Sequence, residues 1–158
     1  MDSLTIAKYI SIPATFILTG YGISASQSTV PLLYKVPTNI SAEVFKGVYL
    51  NGKSFVAPGA IISASALAYL AYAIPSQRQL YAAACGLILS TQVWTVGVML
   101  PGINRIMEIS RSVVEQQKAD ATGETVKLMK AWVLQNWVRA ALSGASGLTA
   151  LSAWVGGA

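Results

Sequence analysis

Four long segments of this sequence carry almost no charged side chains, and this pattern restricts the fold more than any other feature. Residues 9–34, 54–74 and 79–101 contain no charge at all, and residues 131–155 contain a single one, Arg139. A helix needs about 20 mostly apolar residues to cross the roughly 30 Å of hydrocarbon in a bilayer. The pattern therefore predicts an all-α, integral membrane four-helix bundle with short interfacial helices in the loops.

The sequence predicts one domain, residues 1–158, in which every long uncharged segment is a membrane span. The expected spans cover about residues 7–24, 54–74, 79–101 and 130–155. More lysines and arginines lie in the two long loops than at the termini, so the positive-inside rule favours cytosolic loops and termini that are outside or in a lumen.

The loops also carry local signals. Residues 41–49 are expected to form a short helix on the membrane surface, and Asn51-Gly52 is expected to turn the chain into the second span. Pro101 is expected to end the third span, with an amphipathic helix over residues 103–118 beyond it. Residues 120–123 should break that helix before the last span begins.

The composition excludes several kinds of chemistry. Charged residues make up 11% of the chain, whereas soluble domains carry about 25%. The sequence has no histidine and one cysteine, Cys85, so a conventional iron, copper or zinc site and an intramolecular disulfide are not expected. No glycine-rich phosphate loop is visible, and we predict no cofactor and no metal. The net charge of +5 is attributed to topology and lipid contact, not to nucleic-acid binding.

Arg139 is the most informative single residue. A guanidinium inside a span costs about 2.5–3.5 kcal/mol on insertion scales, so it should face the bundle interior and have a partner. Trp132 and Asn136 share its helical face, and Gln135 lies one turn before it. This polar stripe predicts a pocket for an amphiphilic ligand. The alternative is a structural arginine that bonds to backbone carbonyls or snorkels to the surface.

A second group of candidates lies near the end of the third span. Asn104 and Glu108 are one helical turn apart, flank Arg105, and are expected to approach Trp132 and Asn136. Glu108 would then be the carboxylate nearest the pocket and a candidate proton acceptor, although such a residue more often pairs with a nearby arginine. Trp94 and Gln92 are expected to add an aromatic wall and a polar contact, or else to be ordinary bundle filling.

Three motifs resemble those of the anthrone oxygenase family, small four-helix membrane proteins. In order along the chain, they are Gly52-Lys53 with Pro58, Pro101-x-x-Asn104-Arg105, and Trp132-x-x-x-Asn136-x-x-Arg139-Ala140. The resemblance extends over nearly the whole chain. It implies an enzyme that oxidises the methylene carbon of an anthrone, an aromatic polyketide, to a quinone carbonyl with O₂ and without metal or flavin.

The resemblance also implies roles for the candidate residues. Arg139 would stabilise the substrate anion, Asn136 and Asn104 would donate hydrogen bonds, and Trp132 would stack on the flat ring system. Glu108 or a tyrosinate would be the base. The expected partners are a lipophilic aromatic substrate, O₂ and the bilayer of the endoplasmic reticulum or another endomembrane, with a homo- or hetero-oligomer left open. Two alternatives remain: another tailoring enzyme, such as a cyclase, and a non-catalytic membrane assembly subunit.

Overall fold

The computed structural model describes residues 2–157, which are almost entirely helical and contain no strand. Six α-helices follow one another, and two π-helical turns and two short 3₁₀ segments connect some of them. The α-helices are α1 (Ser3–Ser24), α2 (Thr38–Ala73), α3 (Arg78–Trp94), α4 (Leu100–Arg111), α5 (Val113–Thr122) and α6 (Glu124–Gly156). The all-α prediction is thus confirmed for this part of the chain.

The first long segment starts at a capped helix end and stops before a proline. The Asp2 carboxylate accepts a hydrogen bond of 2.8 Å from the backbone N–H of Thr5, so α1 begins with an N-cap. The chain continues through a π-helical turn, Ala25–Thr29, and a 3₁₀ segment, Val30–Lys35. Val36 is extended because it precedes Pro37, and this ends the segment.

Helix α2 corrects two expectations about the first loop. Thr38–Ala73 is one helix of 36 residues, so the separate surface helix at residues 41–49 and the turn at Asn51-Gly52 are wrong. Asparagine and glycine are weak helix formers, but packing against a neighbouring helix overrides propensity. Gly52 is buried within α2, against Tyr21 of α1.

The third segment also runs further than expected. Helix α3 passes through a π-helical turn, Thr95–Met99, directly into α4, so Pro101 does not end the helix. Proline is tolerated there because it lies in the first turn of α4, where its missing N–H is not needed. The expected helix over residues 103–118 is interrupted at Ser112, which is extended and caps α5. The break expected at residues 120–123 is found at Gly123, which has φ of +63°.

Helices α1, α2, α3 and α6 form a ring in which each packs against two neighbours. Helix α1 lies between α2 and α6, and α3 contacts the same two helices from the other side. Small residues of α6 permit close approach, since Gly144 lies against Thr19 and Gly147 against Thr15. The Ser146 hydroxyl donates to the Ala84 carbonyl at 2.7 Å and fixes α6 to α3.

Within residues 2–157, three helical segments are long and apolar enough to cross a membrane: Ser3–Lys35, Thr38–Ala73 and Pro75–Arg111. Helix α6 has 33 residues but does not belong to this group, so the fourth span stays a prediction. Large apolar side chains cover the outside of the bundle, including Tyr72 at 80% exposure and Val93 at 73%. Such a surface suits hydrocarbon and is unusual for water.

The interior contains two hydrophobic clusters, one toward each end of the bundle. Leu67, Tyr81 and Ile88 belong to the cluster near the termini. Phe45 and Trp132 belong to the second cluster, which α4 and α5 cover from the loop side. Residues of both clusters contribute to the wall of a cavity.

Candidate active site

A cavity of about 170 Å³ lies inside the ring of helices, at the level where the two clusters meet. Its wall is mostly aliphatic, and every one of the four long helical segments contributes to it. The aromatic and polar side chains of the wall are Tyr21, Tyr49, Lys53, Gln92, Thr95, Trp132 and Arg139. Three residues that the sequence nominated, Gln92, Trp132 and Arg139, are thus brought together.

The Arg139 guanidinium has no polar partner. It is half-buried in the cavity wall, and within residues 2–157 it makes no hydrogen bond and no ion pair. A guanidinium has five N–H donors and stays charged, so such an arrangement is costly unless a ligand completes it. Of the two structural alternatives, bonding to main-chain carbonyls is not found within residues 2–157, whereas a guanidinium that snorkels to the surface stays a prediction. The phenols of Tyr21 and Tyr49 belong to the same wall.

Trp132 presents a fixed aromatic surface beside Arg139. Its ring packs edge-to-face on Phe45, with ring centroids 5.4 Å apart and an interplanar angle of 87°. This geometry is the favourable one for two aromatic rings and holds the indole in place. The indole Nε1–H is buried and has no acceptor in the described part of the chain. A buried donor without a partner is uncommon in proteins.

Tyr21 enters the cavity because residue 52 is a glycine. A Cβ at Gly52 would lie 2.8 Å from the Tyr21 Oη, which is closer than real contacts allow. The Tyr21 ring is held from another side by Phe55, with centroids 5.8 Å apart. The requirement for glycine at position 52 is therefore steric: the Tyr21 hydroxyl lies directly over the helix backbone.

The sequence reasoning missed Tyr21, Tyr49 and Lys53 as site residues. Two of them had a usable signal: Lys53 is part of the Gly52-Lys53 motif, and Tyr49 lies four residues earlier, on the same face of α2. Tyr21 had no such signal, because its place in the cavity depends on the contact between α1 and α2.

Two π-helical turns border the cavity. The first begins at Ala25 and the second at Thr95, and both residues belong to the wall. A π-helical turn adds one residue to a helix and commonly occurs at functional sites. Gln92 lies one turn before the second of them, and its Nε2 donates to the Thr91 hydroxyl at 3.2 Å.

Asn136 connects two helical segments of the bundle through hydrogen bonds. It is fully buried, and its Nδ2 donates to the Gly22 carbonyl at 2.9 Å and to the Ser26 hydroxyl at 2.8 Å. These bonds join α6 to the first helical segment. They occupy the Asn136 amide group, which was predicted to donate hydrogen bonds to a ligand. Gln135 and Trp94 are also outside the wall, and the Trp94 indole N–H donates to the Gln135 carbonyl at 3.1 Å.

The second group of candidates lies away from the cavity. Asn104 and Glu108 are exposed on α4 and do not belong to the cavity wall. The reason is that α4 continues past the bundle and turns its isoleucines inward, which leaves its polar face outside. Glu108 pairs with Arg105 at 2.9 Å. This is the arginine pairing that the sequence left open as the alternative.

Arg105 is the centre of an ion-pair cluster. Its Nε and Nη2 donate to the two Glu124 oxygens at 2.8 and 3.0 Å, and its Nη1 lies 2.9 Å from a Glu115 oxygen. These contacts connect α4, α5 and α6. Arg105 lowers the pKa of Glu124, while Lys118 and then Arg105 lower the pKa of Glu115. Arg105 therefore holds the loop region together and does not reach the cavity.

Comparison with known proteins agrees with the resemblance. A family model described as anthrone oxygenase matches residues 45–149, about two thirds of the chain. The chain belongs to the anthrone oxygenase family. No curated protein and no solved structure matches it. Membership points to an oxygenase role in polyketide tailoring. The matched range contains Lys53, Trp132 and Arg139, whereas Tyr21 precedes it.

Proposed function

We propose that this anthrone oxygenase family member is a membrane-embedded enzyme that converts the methylene group of an anthrone-type aromatic polyketide to a quinone carbonyl with O₂. The observation that carries the proposal is Arg139, an unpaired guanidinium in a largely apolar cavity beside the ring of Trp132. A flat, lipophilic substrate that becomes an anion during reaction matches this wall.

The reaction balances without a further reductant or oxidant. Removal of one methylene proton gives a delocalised, phenolate-like anion, which passes an electron to O₂. The two radicals combine into a carbon-bound peroxide anion, which takes back the proton from the base to become a hydroperoxide, and loss of water leaves the carbonyl. The proposed chemistry needs no metal and no flavin, because the substrate anion itself supplies the electrons.

The protein's task is to stabilise negative charge as it develops. The Arg139 guanidinium lies in a wall of low polarity, where a fixed cation acts more strongly than in water. The same cation would stabilise both the substrate anion and the peroxide that follows. Trp132 would hold the ring system, with its indole fixed by the ring of Phe45.

The proton acceptor is proposed to come from the cavity wall. Glu108 is replaced in this role because it is exposed and paired with Arg105. Tyr21 and Tyr49 are the wall residues whose phenolate form would accept the proton, in keeping with the tyrosinate expected from the sequence. A pH profile of turnover for Phe substitutions at the two tyrosines separates these candidates.

The size of the cavity determines how such a substrate enters. Its volume of about 170 Å³ is close to that of the roughly 150 Å³ cavity in which benzene binds, so one or two rings fill it. Lys53 is exposed and belongs to the same wall, so the cavity opens to the surface at this residue. The remaining ring of a tricycle would lie in that opening.

The experiment uses the full chain in lipid nanodiscs with emodin anthrone under isotope-labelled oxygen gas. We expect quinone that carries the label, formed faster than in empty nanodiscs. A rate equal to the spontaneous background would overturn the oxygenase assignment. A cyclised product without added oxygen would instead support the alternative of another tailoring reaction. Arg139→Met is the inactive reference, and Arg111→Met, which removes an exposed arginine outside the cavity, is its matched control.

A further inference from the structure

The cavity contains two cations and no carboxylate. Lys53 and Arg139 both belong to its wall, and within the described chain no aspartate or glutamate contributes to it. Neither residue makes an ion pair within residues 2–157. Lys46 pairs with Glu43 at 2.9 Å and Lys118 with Glu115 at 2.8 Å, whereas the other lysines of the described chain form no ion pair. What distinguishes Lys53 from them is its place in the cavity wall. The positive charge of this cavity is therefore not balanced by the protein.

One cation is enough for the proposed reaction. The anion formed on removal of a methylene proton carries a single negative charge, and Arg139 is the cation placed deeper in the wall. A second positive charge beside it would be repelled in an apolar environment, where like charges interact strongly. The place of Lys53 in this wall would suit a substrate with an acidic group of its own.

We propose that the substrate is a flat aromatic acid, in which a carboxylate binds Lys53 while the ring oxyanion forms at Arg139. This inference rests on the proposed function and deepens it, because it names the charge class of the substrate. With the carboxylate bound and the ring deprotonated, two negative charges oppose two positive ones, and the occupied cavity is neutral.

The placement of the two cations suits such a molecule. Lys53 is exposed at the opening, where a carboxylate keeps part of its hydration, and Arg139 is half-buried further inside. Lysine is a mobile point charge on a flexible stem, which suits a group at the entrance, whereas arginine is a rigid donor that suits a fixed position. The rings between the two charged groups would lie against Trp132 and the aliphatic wall.

Binding in the absence of oxygen tests the inference separately from turnover. The probes are anthracene carboxylate and anthracene methanol, which share one ring system and differ in charge. Their fluorescence gives the Kd for the protein in phosphatidylcholine nanodiscs. We expect the carboxylate to bind about tenfold more tightly, as for one charge-assisted contact. Lys53→Met should abolish this preference, Lys53→Arg should keep it, and Lys35→Met, an exposed lysine outside the wall, should not change it.

A lipid phosphate is the other source of negative charge near the entrance. Nanodiscs that contain phosphatidylglycerol distinguish the two: the carboxylate preference should persist if the site binds a substrate acid. Loss of the preference in those nanodiscs, or equal binding of both probes in phosphatidylcholine, would overturn the inference. Neither result touches the proposed function, which fails only if emodin anthrone, a substrate without a carboxylate, is not oxidised above background.

Discussion

Arg105 and Arg139 show two opposite ways in which this protein uses the same side chain. Arg105 lies on α4 and contacts three carboxylates, those of Glu108, Glu115 and Glu124. Arg139 lies inside the ring of helices and contacts none. Burying an arginine in an apolar wall costs free energy, and Arg139 is nevertheless the one without a carboxylate partner. Its position therefore suits a ligand, whereas the three carboxylates around Arg105 suit a role in stabilising the fold.

The two residues also differ in what their removal leaves behind. Removing Arg105 leaves three carboxylates close together at the junction of α4, α5 and α6, so like charges then repel. Arg139 makes no hydrogen bond or ion pair in the described chain, so its removal leaves no other side chain unsatisfied. Stability should therefore depend on Arg105, and turnover on Arg139.

The largest effect is expected for Arg139→Met. Turnover of emodin anthrone should fall about 10²- to 10³-fold, as on removal of a donor to a developing oxyanion, while the melting temperature stays the same or rises. Methionine keeps the apolar stem and removes the unpaired charge. Arg139→Lys should retain part of the activity, because it keeps the cation without the planar fork. A variant that unfolds at lower temperature but keeps its turnover would make Arg139 a structural residue like Arg105.

A smaller effect is expected for Gly52→Ala. The added methyl group would lie 2.8 Å from the Tyr21 Oη, so the ring has to leave its place in the wall. Turnover should fall about tenfold, since a displacement near 1 Å within a site costs up to about a hundredfold, and the melting temperature should change little. Tyr21→Phe in the same chain relieves the collision. If the double variant regains activity, Tyr21 shapes the wall; if it does not, the phenol takes part in the chemistry.

The sequence predicted the helical class, the family and the inward orientation of Arg139, because each depends on local composition or on spacing along the chain. It did not predict which nominated residues share the cavity. Asn136 and Arg139 are three residues apart on α6, yet Asn136 bonds to α1 while Arg139 faces the cavity. Tyr21 and Gly52 are far apart in sequence, and their contact arises from helix packing. The π-helical turns likewise carry no residue pattern that distinguishes them from α-helix.

The candidates on α4 also show that a position relative to the cavity could not be predicted from the sequence. Asn104 and Glu108 were placed near the cavity because the third span was expected to leave the membrane at the face where the fourth enters. A proline in the first turn of α4 is tolerated, so α4 follows the π-helical turn without a break. Its polar residues then face outward, and the charges on α4, α5 and α6 pair with one another.

The smallest effect concerns acid and the Arg105 cluster. Ion pairs lower the pKa of Glu115 and Glu124 below the ordinary value of 4.5, so both carboxylates release their protons more readily in the folded chain than in the unfolded one. Their contribution to stability is fully present above that value and is lost as the pH falls through the lower, folded-state pKa. The melting temperature should therefore drop by a few degrees between about pH 5 and pH 3, because each partly exposed pair contributes little. Arg105→Met should melt lower at neutral pH and show a weaker dependence on acid, with unchanged turnover of the folded protein. An equally steep acid dependence in that variant would assign the effect to carboxylates elsewhere, and Arg105 would then no longer be the structural counterpart of Arg139.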